Sequence, residues 1–147
     1  MPLSAPAPQQ NQSIDGRRPA AASPRTAILA AAADVFLILL FAAIGRDAHQ
    51  RGEIVTGVLA TAWPFLAGAA AGWLVFRLWR RPLAAWPSGV VVWLATVAVG
   101  MLLRALTGQV VVLPFVIVAL IAVAVFLLGW RLLAAGVRRL RSRRSAG

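Results

Sequence analysis

The sequence has no cysteine, no lysine, a single histidine and only four acidic residues in 147. Without cysteine there are no disulfides, thiolate metal sites or cysteine nucleophiles, and cysteine usage gives no reading of the redox compartment. With His49 as the only histidine, a metal site would have to be completed by carboxylates. No HExxH or paired-carboxylate motif occurs, and no serine or threonine has an obvious base partner. The sequence therefore predicts a non-catalytic chain with no cofactor and no metal.

All 15 basic residues are Arg, and the net charge is +11. That charge would suggest nucleic acid if it formed one face of a soluble domain. Instead the Arg residues cluster at the ends of apolar runs, where they meet lipid headgroups. The partner expected is a bilayer with anionic headgroups rather than nucleic acid. Composition agrees: 61% of residues are apolar and 13% charged, against about 45–50% and about 25% in a soluble domain. A soluble domain of this length would expose a largely apolar surface, which soluble monomers avoid.

Residues 1–25 are rich in Pro, Ala, Gln and Ser and have no apolar period, so a disordered basic tail is expected. Four apolar runs follow: Thr26–Ile44, Ile54–Phe76, Leu83–Leu103 and Val110–Val137. Each is long enough to cross the hydrocarbon at about 1.5 Å per residue. The first run follows basic residues and contains Phe41-Ala42-Ala43, as a signal peptide would. Three further spans make an uncleaved helix the better reading. The loops are too short to be domains and force neighbouring helices to run antiparallel. The expected fold is all-α, an antiparallel bundle of four transmembrane helices over residues 26–137, with a second basic tail at 138–147.

Orientation follows from the Arg distribution. With the N-terminus inside, twelve Arg lie on the cytoplasmic side: Arg17, Arg18, Arg25, Arg77, Arg80, Arg81, Arg131, Arg138, Arg139, Arg141, Arg143 and Arg144. Only Arg46, Arg51 and Arg104 lie outside. This asymmetry predicts a plasma-membrane protein with both termini cytoplasmic. In the first outer loop Asp47 and Glu53 offset Arg46 and Arg51, and His49 reads as an interfacial loop residue.

Asp34 interrupts the first apolar run, where a carboxylate costs about 2.5–3.5 kcal/mol. It needs a partner or a role. Counted inward from Arg25 it lies about 13 Å deep, and Arg131, counted inward from Arg138, lies about 10 Å deep. Helices one and four run in opposite senses, so the two charges can meet, with Ala27, Ala30, Ala31, Ala124, Ala134 and Ala135 allowing close approach. In the second run Gly57, Thr61, Pro64, Gly68 and Gly72 share one face, and Gly68-Ala69-Ala70-Ala71-Gly72 is a GxxxG packing pattern. A bend at Pro64 is expected. In the third run Thr96, Gly100 and Arg104 align. Arg104 is expected at the outer edge, paired with Asp47 or Glu53 or open to an external anion. Of the six Trp, Trp63 and Trp93 are expected inside the bundle and the rest partly in an interfacial belt.

Several strings together resemble one family: Ala33-Asp34-Val35, Phe41-Ala42-Ala43-Ile44-Gly45-Arg46 with His49, Thr61-Ala62-Trp63-Pro64-Phe65, Gly100-Met101-Leu102-Leu103-Arg104 and Gly129-Trp130-Arg131. It is a family of small actinobacterial and archaeal membrane proteins known only as a domain of unknown function, number three thousand and fifty-four. The resemblance spans roughly Thr26 to Ala135. It implies a four-helix membrane protein and carries no activity, substrate or cofactor with it.

Two functional readings follow. In a transport or permeation protein, Asp34, Arg131, Arg104, Thr61 and Thr96 would line a polar path through the bundle or between protomers. In a structural or accessory subunit, acting as a homodimer or with a membrane-protein partner, the same residues would only hold helices together. A path predicts that Asp34 and Arg131 meet water from one side. A scaffold predicts a dry, mutually paired site.

Overall fold

The computed structural model describes residues 22–47 and 54–145. Among them every regular element is helical: α1 (Pro24–Asp47), α2 (Ile54–Val75), α3 (Val90–Leu106) and α4 (Leu113–Arg144). A 3-10 turn at Leu78–Arg80 and a π turn at Ala85–Gly89 lie between α2 and α3. The described residues hold four helical stretches long and apolar enough to cross a membrane: Pro24–Gly45, Val55–Val75, Ala85–Leu106 and Leu113–Arg144. Residues 1–21, which hold Arg17 and Arg18, and residues 48–53, which hold His49, Arg51 and Glu53, lie outside the described residues, as do the side chains of Arg46 and Asp47.

Local chemistry sets the helix ends. At the start of α1 the Ser23 Oγ accepts the Thr26 N–H at 3.3 Å, and Pro24 occupies the first turn, where a missing N–H costs nothing. α3 begins seven residues later than its apolar run. Trp86 is extended (φ −121°, ψ 132°) because the residue before a proline is pushed out of the helical region, so the regular helix starts only after Pro87. At the far end of α3, Gly108 takes φ 71°. There the Gln109 N–H bonds Arg104 O at 2.9 Å and the Gly108 N–H bonds Ala105 O at 3.3 Å. This is a Schellman closure, which favours glycine at the left-handed position. α4 continues through Arg138 to Arg144, so most of the expected basic tail is helix. Cations in a last helical turn oppose the helix dipole favourably.

α2 and α3 share the most extensive contact, α1 packs on α2 and α4, and α3 packs on α4. The seam between α2 and α3 explains the small residues on the α2 face. A Cβ on Gly68 would lie 2.8 Å from the carbonyl oxygens of both Ala95 and Thr96, and one on Gly72 would lie 2.8 Å from the Ala95 Cβ. On α3, a Cβ on Gly100 would lie 2.7 Å from the Phe65 ring. Backbones that approach this closely gain dispersion contacts, the main packing term when lipid is as apolar as the side chains. Phe41, Phe65, Val97, Ala119, Val123 and Leu127 fill the core, with Phe41 edge-on to Phe65 at 5.5 Å between centroids. α2 is continuous through Pro64, whose side chain is fully buried.

Large apolar side chains such as Phe36, Leu74 and Leu133 point outward, as a lipid solvent would allow. Trp63 is 41% exposed, which corrects the expectation that it packs inside. Its neighbours Ala62 and Pro64 take the buried positions, and a helix cannot turn three consecutive side chains to one face. Trp93 does pack inward, donating its indole N–H to Leu120 O at 3.0 Å.

Candidate functional site

Asp34 on α1 and Arg131 on α4 meet in the interior, 1% and 0% exposed. The contact is a two-pronged fork: Arg131 Nη1 donates to Asp34 Oδ1 and Nη2 to Oδ2, both at 2.7 Å. These are the short distances of charge-assisted bonds. The carboxylate receives two more donors, the Trp73 indole N–H on Oδ2 and the Trp130 indole N–H on Oδ1, each at 3.0 Å. Four donors match the four lone-pair positions of a carboxylate. The guanidinium is similarly engaged. Its Nε donates to Pro82 O at 3.1 Å, Nη1 also donates to Leu127 O at 2.9 Å, and its Cζ lies 4.7 Å from the Trp130 ring centroid.

The pair thus gathers α1, α2, α4 and the segment between α2 and α3 at one point. Gly89 makes room for it, since a Cβ there would lie 3.0 Å from the Arg131 Cδ. Charges taken out of water are tolerable only when their hydrogen-bonding capacity is largely met. Here all four lone-pair positions of the carboxylate and four of the five guanidinium N–H groups are engaged.

A family model described as a protein of unknown function (DUF3054) matches residues 31–134, more than half of the chain. The chain belongs to this family. No curated protein and no solved structure matches it. The family's span begins three residues before Asp34 and ends three after Arg131, so the ion pair ties together the two ends of the family's domain.

The other candidate residues do not join this site. Thr96 is fully buried but turns its hydroxyl back to its own helix, donating to Val92 O at 2.6 Å. Thr61 is half-buried on α2. Arg104 sits near the C-terminal end of α3, about 22 Å along the helix axis from Gly89. Its Cζ lies 4.6 Å from the Phe115 ring centroid and Nη2 reaches Val110 O at 3.4 Å. Its Nε and Nη1 have no hydrogen-bond partner among the described residues. The carboxylates expected to pair with it, those of Asp47 and Glu53, lie outside the described side chains, as do Arg46 and His49 of the same outer loop. Phe115, Phe65 and Phe41 pack in series within the apolar core. No group of three His, Cys, Asp or Glu gathers among the described residues.

Trp73, Trp130 and the Pro82 carbonyl are the parts of the site that sequence reasoning missed. The indoles carried a signal, because a buried Trp needs an acceptor for its N–H and Asp34 has more acceptor sites than one Arg can fill. The Pro82 carbonyl carried none, since a backbone acceptor has no residue-type signature.

Proposed function

We propose that this chain is a non-catalytic membrane scaffold or accessory subunit, in which the Asp34–Arg131 pair locks the helices rather than lining a path for ions or protons. The observation that supports it is how fully the pair is engaged: four donors on the carboxylate, four acceptor atoms for the guanidinium's five N–H groups, and both side chains buried. A relay or anion site needs a free lone pair or N–H facing water, and neither side chain of this pair reaches the surface. The apolar core also holds Phe41 and Phe65, side chains that a polar path would have to avoid.

The test is radical footprinting of the protein in bilayers, combined with proton and anion flux in sealed proteoliposomes. Trp73 and Trp130 should resist oxidation while Trp86, 77% exposed, is modified, and the vesicles should stay tight. Oxidation of Trp73 and Trp130 together with a flux abolished by Asp34→Asn would replace the scaffold with a transporter.

In the proposed topology four antiparallel spans cross a plasma membrane with both termini in the cytoplasm. The twelve-to-three Arg asymmetry supports this. Reporters after residue 147 and within Arg77–Pro82 should be cytoplasmic, and those within Gly45–Glu53 or Arg104–Gln109 external. An external C-terminus would reverse the assignment. The scaffold would work as a homodimer or with a membrane-protein partner.

A further inference from the structure

A cavity of about 530 Å³ opens beside the start of α1, lined by Ala22, Thr26, Arg80, Arg81, Pro82 and Arg138, among others. Its position is fixed by the ion pair. Pro82, which forms part of its wall, gives its carbonyl to the Arg131 Nε. Arg138 follows Arg131 by seven residues on α4, hence on the same helical face and about 10 Å nearer the Arg-rich end. The Ala22 N–H bonds Arg80 O at 3.4 Å, holding the chain that enters α1 against the other wall. The size lies within the range of ligand pockets, about 300–1,000 Å³.

Three features of its charge point the same way. Arg80, Arg81 and Arg138 converge on it from two separate segments. Asp34 is the only carboxylate among the described side chains, and it is taken up by Arg131, so no described acid neutralises the three. The first turn of α1, through Thr26, adds the positive end of a helix dipole. We propose that this cavity is a binding site for the phosphate of an anionic lipid headgroup. The reading rests on the membrane topology above, which puts the Arg-rich end at headgroup level. Guanidinium forks match phosphate oxygens, and basic pockets between helices at that level suit such headgroups. Thr26 and Arg138 lie outside the 31–134 span of the family, so the site is a feature of this chain's flanks as much as of the shared domain.

The test uses the full chain in bilayers of phosphatidylcholine with a minority of phosphatidylglycerol, followed by extraction and native mass spectrometry of the retained lipid. The wild type should hold phosphatidylglycerol in excess of its share. The preference should fall about fivefold in Arg138→Gln and about 100-fold in the triple variant Arg80→Gln/Arg81→Gln/Arg138→Gln. Arg143→Gln/Arg144→Gln, which removes two charges from the end of α4 outside the cavity, should keep it. A second arm adds inorganic phosphate to protein in phosphatidylcholine alone and follows the melting temperature. Stabilisation that Arg138→Gln removes would name free phosphate as the source and overturn the lipid assignment. Equal loss in the cavity and control variants would reduce the effect to general surface charge and overturn the site, as would a wild type without lipid preference. Arg138→Gln alone decides the matter if the triple variant does not fold. A chain that fails to enter bilayers would remove the topology and the site together, whereas one that enters without preference removes only the site.

Discussion

Arg131 and Arg104 are the same side chain placed near opposite ends of the helical domain, each with its guanidinium over an aromatic ring at 4.7 and 4.6 Å. Their N–H groups meet different surroundings. Arg131 is fully buried and donates to a carboxylate on another helix and to two backbone carbonyls. Arg104 is half-buried, has one long bond to Val110 O, and leaves Nε and Nη1 without partners among the described residues. The difference lies in what the neighbouring elements supply. Around Arg131 an aspartate, the Trp73 indole and the carbonyl of Pro82 converge from other elements and Trp130 joins them from α4 itself, whereas around Arg104 the described neighbours offer mainly Phe115. A charge becomes a structural lock only where the elements around it provide acceptors at its depth.

The strongest way to break the comparison is to remove the lock. Arg131→Ala and Asp34→Ala should each lower stability by about 3–5 kcal/mol, because each strands the other charge in the interior. The double variant should recover part of the loss as a favourable coupling. Arg131→Lys should not rescue, since an ammonium cannot make the two-pronged contact while also reaching Pro82 O and Leu127 O. Reversible unfolding in mixed micelles would measure these values, and strictly additive single effects would mean that the two residues do not act as a pair.

The α2–α3 seam comes next, and it asks whether close packing rivals the lock. Gly68→Leu should cost about 3 kcal/mol, the upper end for overpacking, because the new side chain runs into backbone oxygens that cannot rotate away. Gly129→Leu serves as the control, since nothing lies within 4 Å of a Cβ built there. Unfolding midpoints that match for Gly68→Leu and wild type would show that α3 can move aside. A smaller effect is expected at the rim of the lock. Trp73→Phe removes one hydrogen bond to a charged group and should cost about 1.5 kcal/mol, the low end because the indole is half-buried. An unchanged midpoint would show that Arg131 and Trp130 together satisfy the carboxylate without Trp73.

The sequence shows the lock more readily than its setting. A lone carboxylate in an apolar run is so costly that it demands a partner, and helix counting puts Arg131 at a similar depth, so these two residues are legible from hydropathy and a 1.5 Å rise. Gly68, Gly72 and Gly100 are legible for a related reason, since periodic small residues mark a close crossing. The late start of α3 is harder. The apolar run from Leu83 is uninterrupted in hydropathy, and the break depends on Pro87 forcing Trp86 out of the helix. Trp63 misleads because hydrophobicity does not separate a core face from a lipid face when the solvent is itself apolar. The structure does not bring the candidate polar residues together at one place, for a geometric reason. Thr96 and Arg104 lie on one face of α3, yet Thr96 spends its hydroxyl on its own helix and Arg104 sits far along the axis from the pair.

The smallest expected effect is the one that most sharpens the contrast. Arg104→Met keeps much of the stem that packs on Phe115 and removes a guanidinium with two nitrogens that have no partner among the described residues. The lost cation–π contact is worth about 0.5–1 kcal/mol. The long bond to Val110 O is lost too, worth about 1 kcal/mol. Against both stands the cost of leaving Nε and Nη1 without acceptors, about 1–3 kcal/mol for a fully buried group and less for half-buried Arg104. Losses and gain nearly cancel, so the variant should lie within about 1 kcal/mol of wild type, several-fold below the loss for Arg131→Ala. The same unfolding measurement checks it. A loss as large as that at Arg131 would mean that Arg104 has a carboxylate partner after all, and the candidates are then Asp47 and Glu53 of the adjoining loop. Combining Arg104→Met with Asp47→Asn or Glu53→Gln would identify which, because only the true partner gives a coupling energy. In that case the two arginines would be two locks at opposite ends of the domain. A near-neutral result leaves one lock, at the end where α1 and α4 meet.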